Sequence, residues 1–199
     1  MKRDTKQKIL DAAKELFNQR GYNAVSIGDI ADALEISKGN LTYYFKRKED
    51  ILAALLASMP TATPLAPAAT LEELDEYFRK VQEVVQENAF YFWHRTQFGQ
   101  IFPSIKKKQQ NIYGQNVAHL QTALQNLRTA GLLREDAYPG EGDRTIDTLL
   151  LAAMYWIPFR ELTQSPERMA DYAAQAWSIL HPLLKDKGLN ALSQLLSFP

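Results

Sequence analysis

Within the stretch Ser26 to Lys48, SIGDIADALEISKGNLTYYFKRK, the residues Lys38, Asn40 and Thr42 gather an ammonium, a carboxamide and a hydroxyl, with Tyr43 and Tyr44 beside them. Such groups donate and accept hydrogen bonds at planar polar edges and at phosphate oxygens, so the chemistry they offer is recognition. Leu41 and Phe45 lie four apart, the spacing of one helix face, which sends the polar side chains to the other face. Ser37 stands just ahead as an N-cap oxygen. Upstream, Ser26 and Asp29 have the spacing of a capping pair, and Ile27, Ile30, Ala31 and Leu34 recur at i, i+3, i+4, i+7. The pattern predicts a first short helix over Ile27 to Leu34, a turn at Glu35 and Ile36, and a second short helix with a polar outer face. In a helix-turn-helix the second helix enters the major groove with its N-terminal residues at the base edges, while flanking groups hold phosphates. Lys38, Asn40 and Thr42 are therefore the candidates to touch bases.

Two further helices have to hold this pair. In KQKILDAAKELFNQRGYNAVS, Asp4 and Gln7 have capping-box spacing, Ile9, Ala12, Ala13, Leu16 and Phe17 line one face, and Gly21 is placed to close the helix in the left-handed conformation. After Phe45, the segment KRKEDIL opens a fourth helix with Glu49 and Asp50 in its first turn, where the helix dipole favours acids.

With these flanks, Met1 to Leu56 resembles the DNA-binding domain of the TetR family of one-component regulators. The pattern of that family is met at Ile9, Ala12, Ala13, Leu16, Phe17, Gly21, Ser26, Ile30, Ala31, Ser37, Gly39, Leu41, Tyr43, Phe45, Lys48 and Leu52. Two positions depart from it: Glu35 stands where the family usually has the turn glycine, and Thr42 where it usually has a tyrosine. The resemblance implies DNA contacts from Ser26, Ser37, Lys38, Gly39, Asn40, Thr42, Tyr43, Tyr44 and Lys48, with Lys48 capping a phosphate. It also implies that the fourth helix carries a ligand signal to the DNA.

Composition bounds the alternatives. A chain of 199 residues, 46% hydrophobic, has enough apolar surface for one small and one larger domain. It has no cysteine, hence no disulfide and no thiolate chemistry, which fits a reducing, cytoplasmic setting. No apolar run approaches the roughly 18 residues that span a bilayer, and MKRDTKQK leads into an amphipathic helix in place of a signal peptide. No membrane partner is expected. Lys plus Arg and Asp plus Glu number 23 each, so overall charge is silent about nucleic acid. Placement is more telling: Lys2, Arg3, Lys6, Lys8, Lys38, Lys46, Arg47 and Lys48 cluster at predicted helix starts, where they meet phosphates.

Beyond residue 58 the composition breaks. The segment PTATPLAPAA, Pro60 to Ala69, reads as a loop or extended linker. The predicted domains are 1–58 and 59–199. Thr70 and Glu73 form a capping box ahead of a helix reaching about Ala89, followed by an aromatic segment from Phe90 to Phe102. Ile105 to Ala130 then reads as one long helix, closed by Gly131. Arg144 to about Thr163 is a further helix with Pro158 inside it. Ser165 and Pro166 have the form of an N-cap and first helical residue for the next helix, which Pro182 must kink or end, and Leu189 to Leu196 is a last short helix. The predicted fold is all-α, an N-terminal helix-turn-helix DNA-binding domain plus a C-terminal helical domain for ligand binding and dimerisation.

The second half is similar to the TetR family only in architecture. That resemblance implies a homodimer through roughly 144–182, whose two recognition helices, about 34–36 Å apart, would meet successive major grooves of a palindromic operator in double-stranded DNA. Phe92, Trp93, Phe98, Phe102, Tyr155 and Trp156 supply more rings than a small helical core needs and are the candidates to line a pocket for a small-molecule effector, apolar or aromatic. His94, Gln97, Asn116 and His119 are the polar candidates. An enzyme is not expected, and neither a cofactor nor a metal: His94, His119 and His181 are widely separated, and no glycine-rich phosphate loop occurs. The expected function is a ligand-responsive repressor. The alternative is a family-like architectural DNA-binding protein, or a regulator without an effector.

Overall fold

A computed structural model describes residues 2–59, 66–163, 167 and 170–196. Among these residues the chain forms α1 (Lys2–Arg20), α2 (Ile27–Ala33), α3 (Lys38–Tyr44), α4 (Lys48–Ser58), α5 (Leu71–Glu87), α6 (Ala89–Ile101), α7 (Pro103–Thr129), α8 (Glu141–Leu162), α9 (Tyr172–Leu180) and α10 (Asp186–Leu196). The β-type pairing among them is one isolated antiparallel bridge between Leu133 and Leu184. No helix among the described residues is long and apolar enough to cross a membrane. The helices form two compact units, Met1–Pro60 with Glu87–Arg95, and Thr61–Gln86 with Thr96–Pro199.

The first unit is built on the apolar spacing of its helices. Ile9, Ala13 and Phe17 of α1, Ile30 and Ala31 of α2, Leu41 of α3, and Ile51 and Leu52 of α4 are all essentially buried together with Val25 and Phe45. α1 corrects the expected capping box at Asp4 and Gln7, because the helix already runs at Lys2. Asp4 instead pairs with Lys8 at 3.1 Å, and Gln7 donates to Asp11 at 2.9 Å. These i, i+4 pairs favour helix on the exposed side and extend it outward.

The turn between α2 and α3 is a Schellman close. Ile36 N–H donates to Ala31 C=O at 3.0 Å and Glu35 N–H to Asp32 C=O at 3.0 Å. Glu35, the residue between, sits at φ 53°, in the left-handed region that favours glycine. The sharp turn is thus kept without its usual residue, and the backbone bears the strain. Glu35→Gly is expected to stabilise the protein by about 0.5–1 kcal/mol, the steric relief being partly offset by glycine's unfolded-state entropy. Thermal unfolding followed by circular dichroism checks this, and a lowered midpoint would mean that the Glu35 side chain makes a stabilising contact.

In the second unit, α5 starts on the expected box, with Glu73 N–H donating to Thr70 Oγ1 at 3.2 Å and Thr70 N–H to Glu73 Oε2 at 3.3 Å. α7 ends at Thr129 and is closed by Gly131, φ 74°, beyond which Leu132 N–H donates back to Leu127 C=O at 2.9 Å. α8 starts at Glu141, three residues ahead of the expected Arg144, because Asp136 accepts Gly142 N–H at 3.1 Å and Glu141 is anchored. The anchor is the guanidinium of Arg134, bonded to both Glu141 oxygens at 2.7 and 2.8 Å. That contact and the Ala137 N–H hold the Glu141 carboxyl down at about 2. The helix runs through Pro158 to Leu162.

The expected cap at Ser165 and Pro166 lies outside the described residues. α9 starts later, with Asp171 accepting Ala174 N–H at 3.2 Å and Gln82 accepting Tyr172 N–H at 2.7 Å. It ends at Leu180, and Pro182 falls in a 3-10 turn, His181–Leu183, as its missing N–H requires. α10 packs closest at Gly188, where a side chain would run into the Leu132 carbonyl oxygen.

Candidate nucleic-acid interface

α2 is fixed at its start by Ser26 and Asp29. Ser26 N–H donates to Asp29 Oδ2 at 2.7 Å while Asp29 N–H donates to Ser26 Oγ at 3.1 Å, the reciprocal capping box. Hydrogen bonds from the Ser26 side chain and backbone, with Arg20 nearby, hold the Asp29 carboxyl at about 2. Ser37 caps α3 in the same way, its Oγ accepting Asn40 N–H at 3.1 Å. Ser26 and Ser37 are both exposed, yet each hydroxyl has a structural task in capping the start of a helix.

α3 is held from below by Leu41, which is fully buried, and is closed by Phe45. The outer arc carries Gly39 and Asn40, both exposed, and Tyr43, which is 69% exposed, while Lys38, also exposed, opens the helix at the flank of this arc. Thr42 and Tyr44 flank this arc half-buried. Thr42 Oγ1 donates to Gly39 C=O at 3.1 Å. Tyr44 braces Tyr43 edge-on, with ring centroids 5.2 Å apart. A Cβ on Gly39 would meet nothing nearer than Ser37 Oγ at 3.9 Å, so the helix surface there is low and open. The arrangement is a short convex ridge of donors and acceptors on a rigid base, the shape that enters a major groove.

Lys48 behaves differently from a solvated lysine. Its ammonium donates to Tyr22 C=O and Val25 C=O, each at 2.8 Å, and lies 4.2 Å from the centre of the Tyr22 ring. Burial lowers its pKa, opposed by Glu49 and Asp29. The Tyr22 hydroxyl is pushed up to about 12 by burial and then by Glu49. Lys48 thus ties the start of α4 to the loop before α2. Sequence reading missed this contact because the partners are 23 and 26 residues away and are backbone groups, which leave no side-chain signal.

Asn18 was also unread. Its amide donates to Glu87 C=O at 2.9 Å and accepts Phe90 N–H at 3.0 Å, and Phe90 lies against Phe17 at 5.7 Å. A polar residue near the end of α1 reads as solvated; here it clamps the chain that enters α6.

The expected pocket residues are scattered in character. Phe98 and Trp156 are buried, Phe92 is half-buried, and Trp93 and Tyr155 are about half exposed, at 47% and 53%. Phe102 leaves the helix in extended backbone as the N-cap of α7, so it does not continue the helical face of Phe98. Of the polar candidates, Asn116 accepts the Tyr77 hydroxyl at 3.2 Å, and His119 is buried against the Tyr77 ring at 5.2 Å.

The sequence model of the family described as "Bacterial regulatory proteins, tetR family" matches residues 9–55, and that described as "Bacterial transcriptional repressor" matches residues 49–192. The transcriptional regulator QacR of Staphylococcus aureus is 53% identical over 51 residues, which are 26% of this chain and 27% of that protein. AcrR of Shigella flexneri is 38% identical over 52 residues, 26% of this chain and 24% of that protein. The matches to these curated relatives span only about a quarter of their length. Among solved structures, a TetR-family regulator from Marinobacter aquaeolei superimposes with a TM-score of 0.84 at 21% identity, covering 96% of each chain. A complex of SmeT with triclosan gives 0.60 at 18% identity, covering 92% of this chain and 93% of that one. The matching families and relatives are regulators of transcription and not enzymes. The chain belongs to the TetR family of bacterial transcriptional regulators.

Proposed function

We propose that this protein is a homodimeric repressor that grips a palindromic operator through α3 and leaves it when a small apolar or aromatic compound occupies the second unit. The DNA-binding domain on this reading is residues 1–58 and the regulatory domain 59–199. The observation that carries the reading is the polar surface of α3 around the buried Leu41, with Lys38, Asn40 and Tyr43 exposed and Thr42 half-buried. Lys38 and Asn40 read base edges near the start of the helix, and Thr42 offers its methyl group to a thymine or its oxygen to a donor. Tyr43, Tyr44 and the capping serines face the backbone on either side. Lys48 has three N–H donors, two of them used by Tyr22 and Val25, which leaves a third for a phosphate on this reading.

A dimer suits both the DNA and the surface of α8. Leu151, Tyr155, Phe159 and Leu162 recur every three or four residues and are 55%, 53%, 55% and 80% exposed. An apolar stripe of this kind on one helix is covered by a partner, and an identical stripe on a second copy is self-complementary about a two-fold axis. On α9, Ala170 just ahead of the helix, then Ala174 and Ser178, keep the exposed side low while Ala173 and Ala176 are buried, which lets a partner helix approach closely. The triclosan bound by SmeT supports an apolar aromatic effector. The coupling between the ligand and DNA sites is about 1–3 kcal/mol. An architectural DNA binder would need a strongly basic chain, and a formal net charge of zero speaks against that alternative.

The experiment is selection of genomic fragments by the purified chain in low salt, followed by footprinting and competition. A protected site with two-fold symmetry is expected. Asn40→Ala and Thr42→Ala should each change the preference among operator variants by about 1–3 kcal/mol per lost base contact, with little change on random DNA. Equal losses on specific and random DNA would remove the base-contact assignment.

A further inference from the structure

Inside the second unit four helices meet around a set of rings. Tyr77 of α5 lies 5.2 Å from the His119 imidazole of α7, and its neighbour Phe78 lies 5.5 Å from Trp177 and 6.2 Å from Tyr172 of α9. Tyr172 in turn lies 6.2 Å from Trp156 of α8. Most polar atoms in this core are paired. The Tyr77 hydroxyl donates to Asn116 Oδ1 at 3.2 Å, and the Tyr172 hydroxyl donates to Leu149 C=O at 3.0 Å. Asp75, a buried carboxylate, accepts Trp177 Nε1–H at 2.8 Å on one oxygen and Arg79 Nε–H at 2.7 Å on the other.

Two atoms stand apart. Nε1 of Trp156 and Nε2 of His119 are buried side-chain atoms with no hydrogen-bond partner among the described residues, on side chains of residues only 2% and 6% exposed. Native cores pair nearly all such groups, and one left unmade is costly, so two in one ring cluster mark a place completed from outside the chain. An indole N–H donates only, so its missing partner is an acceptor. Burial lowers the pKa of His119 and keeps the imidazole neutral. Asp75 has a partner on each oxygen, which leaves no uncompensated negative charge to attract a cation.

We infer that the effector site is this ring cluster of Tyr77, His119, Trp156 and Tyr172, and that it takes a neutral aromatic molecule whose hydrogen-bond acceptor meets the Trp156 indole N–H. The inference rests on the reading that the second unit binds an effector. It narrows that reading to one chemical class and excludes organic cations. The apolar body of the ligand would stack among the rings, and its single acceptor would fix orientation.

Three probes of equal size separate the possibilities: benzophenone, diphenylmethane and benzylpyridinium, which share two rings and differ in carrying a carbonyl, no polar group, or a positive charge. Calorimetry on the full chain is expected to show benzophenone binding about tenfold tighter than diphenylmethane, and benzylpyridinium weakest. Trp156→Phe keeps a ring and removes the donor, so it should abolish the advantage of the carbonyl and leave diphenylmethane binding in place. Should that variant not fold, the wild-type chain answers by NMR. One of its 3 tryptophan indole N–H protons should move downfield with benzophenone and not with diphenylmethane. An unchanged benzophenone preference in Trp156→Phe, no indole shift, or tightest binding by benzylpyridinium would each overturn the assignment. Release of operator DNA by benzylpyridinium without an indole shift would sink this site while leaving the effector reading intact. Failure of all three probes to bind or to release DNA would sink both.

Discussion

The double variant Tyr155→Glu/Phe159→Glu is expected to be a monomer at micromolar concentration, with unchanged helical content and operator affinity lower by about 10²–10⁴-fold. Both side chains are more than half exposed on α8, so their replacement should cost the isolated fold little. In a two-fold pairing each new carboxylate would be buried against its own copy, and two desolvated like charges oppose association strongly. DNA affinity falls with it, because the second recognition helix no longer benefits from tethering to the first. Light scattering after size exclusion reads the assembly, and fluorescence anisotropy with an operator duplex reads the binding. A variant that stayed dimeric would place the subunit interface elsewhere on the molecule.

Lys48→Ala should act on both stability and DNA. Two backbone carbonyls, those of Tyr22 and Val25, lose an ammonium donor at 2.8 Å, and the Tyr22 ring loses its cation. Hydrogen bonds to a charged group are worth about 1.5–3 kcal/mol each, and water reaches this half-buried group, so the combined loss should be about 2–3 kcal/mol. On the proposed reading a phosphate contact would be lost as well. Affinity for all sequences should fall alike, and the salt slope should flatten by about one unit. Lys48→Arg, which keeps charge but not the compact three-donor head, should restore part of the phosphate term and little of the loop closure. Chemical denaturation together with a salt titration of DNA binding separates the two effects. If Lys48→Ala lost DNA affinity with full stability, its bonds to the loop would be dispensable.

The helix-turn-helix was legible because its signals are local. Ser26 with Asp29 and Ser37 with Asn40 act over three residues, and Leu41 and Phe45 over four, so the sequence states them directly. The turn at Glu35 was legible in position, whereas its left-handed backbone was not, since an acidic residue does not announce positive φ. Where the reading failed locally, side-chain pairs reaching beyond the three-residue capping distance had intervened. Arg134 on Glu141 moved the start of α8, and the α1 boundary moved outward past Asp4 on exposed pairs that compete with a cap. For the pocket, aromatic count suggested which rings to examine but not their burial. Phe98 and Trp156 went inside while Trp93 and Tyr155 stayed at the surface.

By itself, then, the sequence determined that the chain is all-helical, where α2 and α3 lie, and which polar side chains share the outer arc of α3. These follow from periodicity and capping, which depend on neighbours within one or two turns. Tertiary structure alone decided that Lys48 would tie the loop before α2, that Asn18 would clamp the approach to α6, and that Trp156 and His119 would be buried with atoms unpaired. The first two join groups far apart along the chain through backbone atoms that every residue possesses, and the third depends on which helices close over the rings. Side-chain identity cannot encode such a contact until packing has brought the segments together.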